Sequence, residues 1–162
     1  MSNDALIDQI ACGDAFVAWA AAERYAENAR PEDAPRLMVA YDVCPSEDVG
    51  LRMEIVDLIG RFDSPEAHAF LKRAAHARAH IWVRYSAIRN MIELGYDDWR
   101  PGGLRELRSE FYRSLLAFER YWRREIGFDE FRALGLARTK GRGDFWEWVA
   151  HLEPRAGEAS PA

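Results

Sequence analysis

Two arginines thirty-two positions apart, Arg52 and Arg84, each sit inside an apolar run of helix length, and this recurrence constrains the fold more than any other feature. The first run is Val49, Leu51, Met53, Ile55, Val56, Leu58 and Ile59; the second is Ile81, Val83, Tyr85, Ala87, Ile88, Met91 and Ile92. Between them, Asp63-Ser64-Pro65-Glu66 opens a short alanine-rich segment. Apolar residues of the first run fall on two interleaved rows, Val49-Met53-Val56 and Leu51-Ile55-Leu58-Phe62, which suits a helix packed on more than one side. A helical hairpin repeated at a period in the low thirties is the pattern of stacked helix pairs. The expected fold is therefore all-α, a short α-solenoid.

Start and stop signals divide the rest of the chain. Ser2 or Asn3 is expected to cap a first helix carrying Leu6, Ile7 and Ile10, which ends at Gly13. Asp14 then caps a second through about Ala29, with Phe16, Val17, Trp19, Ala20 and Tyr25 as its bulky stripe. Pro31 and Pro35 restart the chain as a short helix with Leu37, Met38 and Tyr41, closed by Cys44-Pro45. The fourth helix is expected from Ser46, the fifth from Ser64, and the sixth from about Ala79 to Leu94, before Gly95. Leu104, Leu107, Phe111, Leu115, Phe118 and Trp122 recur at three- and four-residue steps and predict one long amphipathic helix over Leu104–Ile126. A short helix follows over Phe128–Leu136, then a basic loop over 138–143, then a segment capped by Asp144 that contains Trp146. This gives a single domain over 1–153 and a tail at 154–162 expected to be disordered.

Residues 49–67, VGLRMEIVDLIGRFDSPEA, and 81–95, IWVRYSAIRNMIELG, resemble HEAT-type repeats of the short bacterial kind. The shared pattern is an apolar residue and an arginine entering the first helix, then Gly or Asp and Pro before the second. The resemblance covers about a third of the chain and implies a scaffold of helical hairpins that binds partners. It departs from the pattern after Gly95, where residues 96–103 replace the expected second helix. Some HEAT-type proteins are hydroxylases that hold iron through His-Glu dipeptides, but no histidine here precedes a glutamate. Others are DNA glycosylases with a basic, tryptophan-bearing concave surface. That precedent makes the alternative function a nucleic-acid binding or base-repair protein, using Trp99, Arg105, Arg108, Arg138, Lys140 and Arg142.

Charge separates the two functions. The formal net charge of −5 conceals an asymmetry: Met1 to Asp63 carries five arginines, no lysine and thirteen acids, a net of −8, while Ser64 to Ala162 carries seventeen basic and fourteen acidic residues, a net of +3. An acidic surface repels phosphate and attracts basic proteins. The arginines of the predicted long helix alternate with glutamates at helical spacing and are expected to pair among themselves, so nucleic acid is the less favoured partner.

Sequence signals for chemistry are sparse. There is no nucleophile elbow and no phosphate-cradling glycine loop. His76 and His80 stand four apart but straddle a predicted turn, and no acid or cysteine lies within four residues of either, so no metal and no cofactor is implied. Cys12 and Cys44 are expected to be small core residues. No secretory leader and no membrane span is read, which places the chain in the cytoplasm by expectation. The expected function is a non-catalytic protein-binding module, most sharply an immunity-type inhibitor of a basic bacterial toxin. Its candidate contacts are Asp33, Asp42, Glu47, Asp48, Glu54 and Asp57, with Trp146 as an aromatic anchor beside the basic loop. Glu54 shares a helix face with Asp57, as Glu23 does with Glu27. Arg52 and Arg84 are expected to bridge to acids between successive repeats.

Overall fold

Short polar side chains open most of the helices by accepting a backbone N–H that the first turn leaves unpaired. The structure, a computed structural model, describes residues 1–76 and 78–138. Among these, nine α-helices and one 3-10 turn account for the regular structure. Ser2 caps α1 (Asn3–Ile10) and Asp14 caps α2 (Ala15–Ala26), with Gly13 between them in the left-handed region at φ 84°. A 3-10 turn over Pro31–Asp33 leads into α3 (Ala34–Val43). Asp48, not Ser46, caps α4 (Val49–Ile59), its carboxylate accepting Leu51 N–H at 3.2 Å. Ser64 caps α5 (Pro65–Ala74), and the His80 ring accepts Trp82 N–H at the start of α6 (Ile81–Glu93). Gly95, again at φ 84°, lets Tyr96 N–H return to Met91 O at 2.9 Å and closes the helix.

Two compact units divide the chain, Met1–Trp99 and the part beginning at Arg100, and the single domain expected over 1–153 spans both. In the first unit, α1 packs on α3 and α3 on α5, while α2 packs on α4 and α4 on α6. α1 also packs on α2, α3 on α4, α4 on α5 and α5 on α6, so α4 touches α2, α3, α5 and α6. That is why Leu51, Ile55, Val56, Leu58 and Ile59 are all buried around one short helix. With Ile7, Ile10, Tyr25, Leu37, Leu71, Tyr85, Ile88 and Met91 they form its core.

Side-chain bonds between neighbouring helices and the turns that flank them repeat at nearly constant sequence spacing. Arg36 bonds Asp4, 32 residues away; Arg73 bonds Asp42 over 31; Arg89 bonds Asp57 over 32; Tyr96 bonds Asp63 over 33; His68 bonds Asp98 over 30. Arg52 acts differently from expectation. Arg52 donates to the carbonyls of Cys44, at 2.7 Å, and Pro45, at 3.2 Å, and lies over the Tyr41 ring. Arg84 donates in the same way to Ala75 O at 3.5 Å. Cys44 and Ala75 end α3 and α5, so each arginine satisfies carbonyls at the negative end of the preceding helix.

In the second unit the predicted long helix is interrupted. A short α7 (Leu104–Leu107) stops, Ser109 turns extended, and its hydroxyl caps α8 (Glu110–Trp122) at Tyr112 N–H. A serine able to cap outcompetes continuation here because the backbone gains a partner either way. α8 ends before Gly127, with Arg124 in the left-handed conformation at φ 61° and Glu125 N–H returning to Arg120 O. Phe118, Tyr121, Phe128 and Phe131 interlock between α8 and α9 (Phe128–Arg138), and Arg100 makes a paired bond to the buried Glu119 at 2.6 and 2.8 Å.

Candidate functional site

Carboxylates of the first unit fall into two populations, and sequence alone does not separate them. Asp33 accepts from Asn3 Nδ2 at 3.0 Å and from Tyr25 OH at 3.1 Å, so it joins the 3-10 turn to α1 and α2. Burial pushes the Tyr25 phenol up to about 12, and the Asp33 carboxylate beside it adds to the rise. Asp48 is occupied as the α4 cap. Asp57 is the most heavily used: Ser86 Oγ, Arg89 at 3.0 Å and Asn90 Nδ2 at 2.7 Å all donate to its Oδ1. These three candidates are structural links first, because an Asp side chain is short enough to lock neighbouring backbones at little entropic cost.

Asp42 and Glu47 are exposed at the α3–α4 junction, where Asp42 makes a long, solvent-screened pair with Arg73 at 3.3 Å. Glu54, on α4, is half-buried and has no hydrogen bond or ion pair to another described residue. Burial raises its carboxyl pKa above the ordinary glutamate range, Asp57 adds to that, Arg61 opposes it, and Glu23 on α2 adds again. The structure thus brings Glu54 and Glu23 together on the α2–α4 side, turns Asp57 toward α6, groups Asp42, Glu47 and Asp48 at the α3–α4 junction, and leaves Asp33 apart. Trp146 lies outside the described residues, as do Lys140 and Arg142.

The bulky stripe expected on α2 is split by the structure: Tyr25 is buried, and Phe16, Val17, Trp19 and Ala20 turn outward. The buried face of that helix is Ala18, Ala21, Ala22 and Tyr25, while Phe16 is 86% exposed and Trp19 38% exposed. The missed signal is the spacing of the small residues. Alanines at 18, 21 and 22 with Tyr25 make a narrow face at i, i+3, i+4 and i+7 that lets neighbouring helices approach closely. Cys12 is exposed where a core position was expected, and Cys44 is buried.

Other candidate chemistry receives less support from geometry. Trp99, proposed for stacking on bases, is 5% exposed. His76 and His80 each use a ring nitrogen on a nearby backbone N–H, and among the described residues no group of three or more potential ligands is placed to hold a metal. Among the same residues no helix is long and apolar enough to cross a membrane. Comparison with protein-family models, with curated proteins and with solved structures finds no significant match.

Proposed function

We propose that this chain is a non-catalytic protein-binding module built as a short α-solenoid of HEAT-like hairpins, and most sharply an immunity-type inhibitor of a basic bacterial toxin. The solenoid reading is supported by odd helices packing on odd and even on even, with links recurring near one repeat length. The functional reading is carried by one observation. Within a unit holding seventeen acidic and ten basic residues, net −7, the carboxylates of Asp42, Glu47 and Glu54 are not consumed by buried links. Such a surface accelerates association with a cationic protein and disfavours phosphate.

Co-expression with the polypeptide encoded immediately upstream, followed by stopped-flow association at increasing salt, tests the proposal. The triple variant Asp42→Asn, Glu47→Gln, Glu54→Gln is expected to associate about tenfold more slowly at low salt, with a flatter salt dependence. Absence of binding to that product, or an unchanged rate and salt slope in the variant, removes the proposal.

A further inference from the structure

One outward stripe of α2 carries two different chemistries in sequence. Positions 16, 19, 23 and 27 lie opposite the alanine face, so Phe16 and Trp19 stand near the N-terminal end, and Glu23 and Glu27 toward the C-terminal end. Trp19 leans onto α4 at Gly50, where a Cβ would come within 2.9 Å of its Cζ2. One turn further along α4 stands Glu54, close enough to Glu23 for their charges to interact. Trp19 therefore borders Glu23 and Glu54 across the α2–α4 seam, Phe16 and Glu27 extend the stripe along α2, and Arg61 donates to Ala26 O at the far end.

Single exposed apolar side chains are ordinary, but neighbouring ones rimmed by polar groups mark a contact surface, and Phe16, Val17 and Trp19 are exposed together on α2. The acidic border then selects among occupants. Nucleic acid and anionic membrane both present phosphate, and both are repelled by Glu23, Glu27 and Glu54 in a unit of net charge −7. A protein segment with a basic side chain beside apolar ones has neither conflict. Its cation meets carboxylates and the face of an indole, and its apolar atoms cover Phe16.

We infer that the α2–α4 face is the docking surface for a cationic protein segment, whose Arg or Lys reaches Glu54 and Glu23 while its apolar neighbours cover Phe16 and Trp19. This rests on the basic-partner reading above and names the face and the chemistry that the reading leaves open. The half-buried Glu54 is the anchor, because it has already lost water without gaining a donor among the described residues. Asp42 and Glu47, at the α3–α4 junction, would then steer the encounter and not hold the complex.

The test selects a random-sequence displayed peptide library on the immobilised full chain and then measures the selected peptides by calorimetry at low and physiological salt. Peptides with Arg or Lys next to aromatic or aliphatic residues are expected to be enriched. Phe16→Ser, Glu54→Gln and their combination should each weaken the selected peptide, the combination by about a hundredfold, as expected for hot-spot positions. Asp42→Asn with Glu47→Gln should change its affinity by no more than about twofold, the scale of rim charges. Phe16 is exposed and Glu54 unbonded, so both variants keep the fold, which circular dichroism verifies. Cationic peptides that bind the Phe16 and Glu54 variants as tightly as the unaltered chain would overturn the inference and leave the basic-partner reading intact at another face. Selection of acidic peptides only, or of none, would overturn both.

Discussion

Helix α4 belongs to two seams, and its carboxylates meet opposite fates in them. Toward α6, Asp57 accepts from Ser86, Arg89 and Asn90, and the Asn90 side chain occupies the space above Gly60 so closely that a Cβ there would fall 2.2 Å from Asn90 Oδ1. Toward α2, Glu54 stands one turn away with no such donors, beside a tryptophan that rests on Gly50. Both seams combine a glycine, a large or polar side chain lying on it, and an acid. One is closed and polar inside; the other is open, with its acid and its aromatics facing out. Three donors within the fold converge on Asp57 Oδ1 and compensate much of its charge, so the acidity of the first unit overstates its binding surface.

Removing Asp57 breaks the closed seam most severely. Asp57→Ala takes from the guanidinium of Arg89, whose side chain is 16% exposed, its acceptor at 3.0 Å, leaves it the longer pair with Glu93 at 3.8 Å, and strips Asn90 and Ser86 of an acceptor. Loss of one member of such a pair costs about 3 kcal/mol, read as a lower urea midpoint with an unchanged slope. The companion Glu54→Ala at the open seam should cost less than about 1 kcal/mol by the same measurement. Equal losses would erase the distinction between the two acids.

The two glycines test the same distinction through packing. Gly60→Ala forces Asn90 off its site, because the obstructing atoms include Asn90 Cβ at 2.7 Å, which rotation about χ1 cannot remove. Overpacking of this kind costs about 2 kcal/mol. Gly50→Ala meets only the edge of a partly exposed indole that has solvent to move into, and a helical alanine is favoured over glycine, so the net change should stay within about 0.5 kcal/mol. A shift in tryptophan emission accompanies it as Trp19 is displaced. If both substitutions destabilised equally, the α2–α4 seam would be as tightly packed as the α4–α6 seam.

Much of this organisation is legible in the chain itself, and the exceptions share a cause. Ser2, Asp14, Ser64, Gly13 and Gly95 mark helix ends because capping and positive φ are local requirements that few residue types meet. The spacing of Arg52 and Arg84 marks two like positions near the starts of α4 and α6, yet not that each donates to a carbonyl ending the helix before it, since every helix end offers such acceptors without any sequence signature. The break at Ser109 is hidden because the apolar stripe from Leu104 to Trp122 keeps its period across it. The outward turn of Phe16 and Trp19 is hidden for a related reason. Hydrophobicity reports that a face favours burial, and says nothing about whether the burying surface belongs to the same chain. Of the six acids read as contacts, three prove to be links within the unit, because a carboxylate and its donor thirty residues apart are invisible to local pattern.

A small, pH-dependent effect bears directly on the open seam. Burial, and then the neighbouring Asp57, raise the Glu54 carboxyl above the ordinary glutamate range, so the folded state holds its proton more tightly than the unfolded chain does. The sign follows from linkage: the contribution of Glu54 to stability is fully present below the ordinary glutamate pKa and is lost as pH rises through the raised value. Asp98 has the opposite sense. Burial alone would raise it, but the bonds from His68 at 2.9 Å and Lys72 at 3.1 Å outweigh that and lower it, so its contribution disappears as pH falls. Glu54→Gln should therefore match the unaltered chain in acid and exceed it at neutral pH by less than about 1 kcal/mol, the scale of a partly solvated charge. Asp98→Asn should fall below it at neutral pH and converge with it in acid. Thermal midpoints recorded across the carboxylate range and up to neutral pH decide both. A Glu54→Gln chain less stable than the original at neutral pH would mean that Glu54 has a donor within the fold, and the open seam would then be a second closed one.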